Sequence, residues 1–231
     1  MRKRTKSLVL IVWNEIAGCR ADIPLLPSSE FDEIYAVDGG STDGTVEFLQ
    51  SQGIQVYRQR KRSLNAAYAE AVVRSCCDAI VVFFPKATID PMVVTELSHR
   101  LDIGFDLVVA SRNLPGAHNE EDEHFLKPRK WGIAALSHIV SILWRREGWR
   151  IRDVLHGVKG FTVEAYRRMQ ISDTGVTVDL EMTVRAYRLR IPRTEYAVSE
   201  QARIEGQTHF KIWPTARRLA RSLWSELFRR L

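Results

Sequence analysis

The chain reads as an α/β protein built on a mostly parallel central sheet flanked by helices, and three observations predict it. Short apolar β-type runs alternate with helical stretches through the first half, the order of βαβ units around a parallel sheet. One of those runs ends in a carboxylate followed by two glycines, at the position where an open parallel sheet meets its ligand. The 231 residues, 45% of them hydrophobic, suffice for one substantial core and fall in the single-domain range.

Residues 7–15 (Ser-Leu-Val-Leu-Ile-Val-Trp-Asn-Glu) form a buried strand that closes on the polar pair Asn14-Glu15. Residues 34–45 (Ile-Tyr-Ala-Val-Asp-Gly-Gly-Ser-Thr-Asp-Gly-Thr) carry the most information. Their apolar run ends in Asp38, Gly39 and Gly40 let the backbone turn sharply and approach a ligand, and Thr42 or Asp43 can cap the helix over 44–52. That geometry suits a nucleotide whose base or ribose bonds to Asp38. An ordinary strand–turn–helix joint would satisfy the same twelve residues, which alone leave the choice open. Further strands fall at 54–58, 79–84 and 105–110, with helices near 64–77 and 132–144 and from Val178 onward.

The order of these segments, with Asn-Glu after the first strand and Val-Asp-Gly-Gly-Ser-Thr-Asp-Gly-Thr after the second, resembles the family-two glycosyltransferases of the GT-A (Rossmann-like) fold. In that family the first-strand acid and the second-strand aspartate hold the nucleotide of a sugar donor. The resemblance therefore assigns donor binding to Glu15 and Asp38, with Trp13, Asn14, Gly40, Ser41 and Asp43 in support. No Gly-any-Gly-any-any-Gly follows the first strand, which argues against a dinucleotide oxidoreductase.

The chain departs from the family where most members carry an Asp-any-Asp pair that holds a divalent metal against the donor diphosphate. Aligned on Asp90-Pro91, that pair falls on Phe84 and Lys86, and neither suits a hard cation, which wants oxygen ligands. An ammonium can neutralise phosphate oxygens as a point charge. Lys86, with Arg58, Arg60 or Arg62, thus stands as the replacement for a metal, and Phe84 and Arg60 join the donor set. Three other readings stand beside it. Asp90 or another carboxylate could hold Mg²⁺ or Mn²⁺; the donor could be a nucleoside-monophosphate sugar; or the protein could be a non-catalytic relative that binds a nucleotide sugar without turnover.

In the second half, Ser111-Arg112 resembles the (Gly/Ala)-Ser-Arg of polyprenyl-phosphate sugar synthases, the dolichyl-phosphate mannose synthases among them. Lys127-Pro-Arg-Lys-Trp131 then leads into an apolar helix containing Ser137. Carried over from those synthases, Arg112, Arg129, Lys130 and Ser137 form the acceptor-phosphate site. The intervening His118–His124 loop matches no metal-ligand spacing and reads as solvent-exposed. Asp153-Val-Leu-His-Gly-Val-Lys-Gly-Phe161 resembles a family string whose aspartate lies at the reacting centre, with Lys159 where arginine is usual. Asp153 is accordingly the leading catalytic carboxylate, with Lys86 and Arg112 beside it, and His156 reads as a loop or core residue. For a phosphate acceptor Asp153 orients groups and stabilises charge. For a sugar hydroxyl it is the general base, a role contributing about 10²–10⁴-fold. Asp179 and Glu181 open a helix, where the macrodipole alone favours acids. Arg203-Ile-Glu-Gly-Gln-Thr-His209-Phe-Lys211 resembles a trailing segment that brings Arg203, with His209 or Lys211, onto donor phosphates.

A net charge of +6 and a pI near 9.4 call for an anionic partner. No nucleic-acid-binding motif accompanies it, so phosphorylated ligands or an anionic membrane are the expected partners and nucleic acid is not. Cys19, Cys76 and Cys77 give no even disulfide framework and fit a reducing cytosol. No signal peptide of the usual form and no run of about 18–20 apolar residues is present. In the tail, apolar residues at 216, 219, 220, 223, 224, 227, 228 and 231 share one helical face amid five arginines, with Glu226 the lone acid. Such a helix suits a membrane interface, and packing on its own domain or on a dimer partner is the competing reading. The expectation is one GT-A domain over 1–211 with a basic amphipathic helix over 212–231. It would be cytoplasmic and peripheral at the inner membrane face, transferring a sugar with inversion to a polyprenyl phosphate, or alternatively to a glycan or small-molecule hydroxyl.

Overall fold

The first strand, β1 (Lys6–Val12), is buried along its whole length, as a strand must be when helices cover both faces of its sheet. Its side chains alternate between two cores. Val9 and Ile11 join one cluster, while Leu8, Leu10 and Val12 join the other, the period-two geometry of a strand. The computed structural model describes residues 3–119, 122, 127–202 and 212–229. Its remaining strands are β2 (Glu33–Asp38), β3 (Gln55–Arg58), β4 (Ala79–Phe83), β5 (Leu107–Ser111), β6 (Lys159–Thr162) and β7 (Arg193–Ala197). They form one seven-stranded sheet in the order β3-β2-β1-β4-β6-β5-β7. Pairing is parallel except at β6, which runs antiparallel to both β4 and β5.

Helices α1 (Ile16–Asp22), α2 (Thr45–Ser51) and α4 (Val93–Asp102) contribute to one core through Cys19, Leu49, Val94 and Leu97. Helices α3 (Leu64–Arg74), α5 (Pro128–Trp144), α6 (Val163–Met169) and α7 (Val178–Arg188) build the other through Tyr68, Val140, Met169 and Met182. The α/β expectation is met, with two helix boundaries shifted and two strands added. Helix α3 stops at Arg74. Helix α5 begins at Pro128, because proline lacks only an N–H that the first turn cannot use. Strands β6 and β7 were not foreseen, since Lys-Gly-Phe-Thr and Arg-Thr-Glu-Tyr-Ala lack the apolar run of the other strands.

The tail helix α8 (Ile212–Phe228) packs on its own domain along one face. Leu219 and Leu223 rest against the core, and the lone acid Glu226, 1% exposed, pairs with Arg185 of α7 at 2.6 Å. Trp224, Leu227 and Phe228 face outward.

Candidate functional site

The parallel strands bring their C-terminal ends to one edge, and the register lines up what lies there. Val12 of β1 stands beside Asp38 of β2, and Asp38 beside Arg58 of β3. The two turns that follow β1 and β2 are stitched together. Asn14 takes a positive φ of 52°, its backbone N–H donates to Ser41 Oγ at 2.8 Å, and its Oδ1 accepts from the Thr42 N–H at 2.8 Å. Asp43 accepts from the N–H of Ile16, and from the N–H and hydroxyl of Thr45. Burial opposes ionisation of Asp43, but those hydrogen bonds outweigh it and hold the carboxyl below its ordinary range. The Glu15 N–H donates to Thr45 Oγ1.

Asp38 differs from the expectation that its carboxylate points into the ligand space. It is 2% exposed, and its oxygens accept from the N–H of Gly40 at 2.8 Å, the N–H of Ser41 at 3.0 Å and the hydroxyl of Ser41 at 2.6 Å. Asp38 thus shapes the turn, and Gly40, at φ 95°, makes that shape accessible. Glu15 is also buried. Half-buried Trp13 carries the Arg62 guanidinium 3.3 Å above its ring, a cation–π arrangement. Arg58, Arg60 and Lys61 are exposed in the same short stretch, so this corner is strongly basic.

At the end of β4, Lys86 is half-buried with its ammonium 4.9 Å from the Phe84 ring centroid. The backbone here is clamped by α1. A Cβ on Gly18 would stand 2.3 Å from the Pro85 carbonyl oxygen and 2.6 Å from Lys86 Cα, so only glycine allows this approach. Asp22 accepts from the Ala87 N–H at 2.8 Å, with Ala87 at φ 54°. Phe84 in turn lies against Gly157, where a Cβ would meet its ring at 2.7 Å. Among the described residues no group of three His, Cys, Asp or Glu is placed to hold a metal.

The third component lies between β5 and the segment entering β6. Arg112 grips Asp153 through Nε at 2.8 Å, Nη2 at 3.1 Å and its backbone N–H at 3.2 Å. Its Nη1 donates to Glu200 at 2.8 Å. Burial would raise the Asp153 carboxyl, but the charge and hydrogen bonds of Arg112 prevail and hold it below the usual value. Burial dominates at His156, which falls to about 4 with the Arg112 charge assisting. Deeper still, Lys159 pairs with Asp179 at 2.6 Å, yet burial keeps the Asp179 carboxyl above its ordinary value. Glu195 accepts from the N–H groups of Arg152 and Asp153 at 2.8 and 3.0 Å.

Several sequence expectations change on this geometry. Asp153 is wholly buried and has no exposed oxygen to act as a base, so it positions Arg112. Arg112 is itself held by two carboxylates rather than open as a phosphate clamp. The Ser137 hydroxyl donates to the carbonyls of Ile133 and Arg152 and serves the fold. Arg129 stands on the exposed side of α5. Asp179 and Glu181 lie in the first turn of α7, as expected, and are in addition interior ion-pair members with Lys159 and Arg185. Asp122, from the loop read as exposed, pairs with Lys127 and Lys130. His156 is the core histidine expected. Arg203, His209 and Lys211 lie outside the described residues.

Beside this cluster is a cavity of about 360 Å³ lined by Arg112, Asn113, Leu114, Ala117, Lys127, Lys130, Trp131 and Ala134. Three cations stand opposite apolar walls, an arrangement able to take an anionic group joined to an apolar one. Sequence reasoning missed Asp22, Glu195 and Glu200. None falls in a motif; Glu200 could be suspected only because a buried arginine facing one aspartate has donors to spare.

Residues 7–174 match the profile of Glycosyl transferase family 2. The chain is 25% identical over 182 residues to Glycosyltransferase AglJ of Haloferax volcanii, covering 76% of this chain and 56% of that relative's length. Among solved structures it resembles glucosyl-3-phosphoglycerate synthase of Mycobacterium tuberculosis in complex with Mn²⁺, UDP and glucosyl-3-phosphoglycerate (TM-score 0.71, 18% identity, 96% of this chain and 80% of that one). The same enzyme with Mn²⁺, UDP-glucose and phosphoglyceric acid gives a TM-score of 0.72 at 18% identity, over 96% of this chain and 79% of that one. These likenesses establish the GT-A-type fold.

Proposed function

The chain belongs to glycosyl transferase family 2, and on that premise we propose that it transfers a sugar from a nucleotide-sugar donor to a polyprenyl phosphate, with Lys86 in the position of the usual metal. The observation that carries this reading is Phe84-Pro85-Lys86 at the end of β4, on the same sheet edge as the interlocked turns after β1 and β2. The solved relatives hold UDP with Mn²⁺ or Mg²⁺, so a uridine nucleotide is the first donor to test. The turn shaped by Asp38, with Asn14, Ser41 and Trp13, would seat the nucleoside. The basic stretch Arg58–Arg62 and Lys86 would face the diphosphate.

In the reaction the bond from the anomeric carbon to the diphosphate oxygen breaks, a new bond forms to an acceptor oxygen from the opposite face, and the departing nucleotide gains negative charge. A cation about 4 Å from that charge is worth roughly 4 kcal/mol at an effective dielectric of about 20. An acceptor phosphate is already ionised and needs no strong base, which agrees with the burial of Asp153. Lys127 and Lys130 would bind that phosphate in the cavity by exchanging their pairing with Asp122 for it, with Arg112 held in the wall by Asp153 and Glu200, and with Leu114 and Trp131 against the start of a lipid chain.

A thermal-shift titration with UDP, GDP, CMP and ADP, each with Mn²⁺, Mg²⁺ or EDTA, tests the donor site, since a ligand stabilises by RT ln(1 + [L]/Kd). One diphosphate standing out and surviving EDTA supports the proposal. A shift that requires metal refutes the role of Lys86, and no shift with any nucleotide points to a non-catalytic relative.

A further inference from the structure

Helix α5 holds seventeen residues without a single acid, and only Ser137, Val140 and Ser141 are buried. Leu136 and Trp144 lean on the core. The opposite side carries Trp131, Ile139, Ile142 and Leu143 at 55%, 49%, 63% and 40% exposure. With Ala135 between them these positions recur at helical spacing, so they make one continuous apolar stripe. Exposed Arg129 stands at its start, Arg145 and Arg146 follow its end, and Trp149, 50% exposed, lies just beyond. An apolar stripe of this length with arginines at both ends and tryptophans near them is complementary to an anionic lipid surface.

We propose that this face of α5 lies in the plane of an anionic membrane and docks the protein there. Trp131 belongs both to the stripe and to the cavity wall, together with Ala134 and Lys130. The cavity therefore borders the docked face, and a phosphate carried on a lipid would meet it there. That last step rests on the acceptor reading above; docking itself does not. Among the described residues no helix is long and apolar enough to cross a membrane, so attachment through α5 is interfacial.

The test is co-sedimentation of the full chain with vesicles of an equal mixture of phosphatidylcholine and phosphatidylglycerol, free of any polyprenyl phosphate. Ile139→Asp with Ile142→Asp should lower the vesicle partition coefficient by about tenfold or more, because two buried aliphatic side chains are lost from the interface. Should that variant fail to fold, Ile139→Ser with Ile142→Ser is the milder replacement. Phe228→Asp, on the exposed face of α8, should have the smaller effect. Unchanged partitioning of the α5 variant overturns the proposal. So does its conversion of a dimer to a monomer in sedimentation velocity, which would identify a second copy as the occupant. Nucleotide-induced thermal stabilisation in solution reports the donor site separately. A chain that binds nucleotide but no vesicle refutes docking alone, and the converse supports docking while removing the transfer reading.

Discussion

Protonation of His156 should destabilise the protein over a defined pH window. The imidazole is 5% exposed and sits beside the Arg112 guanidinium, and burial with that charge lowers its value from 6.5 to about 4. A group with a depressed folded value binds its proton more tightly when unfolded, so acid favours unfolding. The loss begins as pH falls through the unfolded value and is complete below the folded one. The interval of about 2.5 units, at about 1.36 kcal/mol each, amounts to roughly 3 kcal/mol, of which about 2 kcal/mol has accrued by pH 5. Asp153 and Glu200, both held low mainly against burial by Arg112, lose their contributions only at still lower pH. Asp179 and Glu195 are raised by burial and act in the opposite sense, so a single acid curve mixes these effects. The informative quantity is the difference between the parent and His156→Asn in urea unfolding at pH 7.5 and pH 5. The variant should lose about 2 kcal/mol less than the parent over that interval. Equal losses in the two proteins would refute the assignment of a buried, neutral His156.

Other substitutions test the supports of the site. Gly18→Ala would ordinarily help a helix by about 1 kcal/mol, but its Cβ meets the Pro85–Lys86 backbone. A net destabilisation of about 1–3 kcal/mol in the urea midpoint, with weaker nucleotide binding, is expected. A stabilised Gly18→Ala variant with normal binding would show that the α1 clamp is not needed. Glu226→Ala removes one partner of Arg185, which is 2% exposed along its side chain and keeps Glu181 at 2.9 Å. A cost of about 2 kcal/mol, below the usual 3–5 kcal/mol for an orphaned buried charge, should appear with faster proteolysis within α8. Unchanged proteolysis would mean that Leu219 and Leu223 suffice to hold that helix.

The sequence revealed most where one chemical requirement dominates. Continuous apolar runs identified β1, β2 and β4 because a strand covered on both faces has no polar side to show. The glycine-rich turn after Asp38 was legible because few residues tolerate its backbone. Strands β6 and β7 were not, since each borrows its place from neighbours and has little apolar signature of its own. The same limit hid the direction of side chains. Asp38 and Asp153 stood out as the aspartates of two family-like strings, but nothing in their order says that both turn inward, one to its own loop and the other to Arg112. Helix α5 was read correctly as apolar, and only the tertiary structure shows that its larger apolar face is left uncovered. Glu226 drew notice as the single acid of a basic helix, and its buried pairing with Arg185 depends on two elements about forty residues apart.

Isothermal titration of the selected nucleoside diphosphate tests most directly the proposal that Lys86 stands where the family's metal would. The parent and Lys86→Ala would be compared in EDTA and in Mn²⁺, with the bare nucleoside as control. Loss of a charge-assisted contact worth about 1.5–3 kcal/mol should weaken diphosphate binding by roughly 10- to 150-fold and leave nucleoside binding unchanged, with the parent indifferent to Mn²⁺. Equal affinities of the two proteins in EDTA, or a parent that binds the diphosphate only with Mn²⁺, would contradict it.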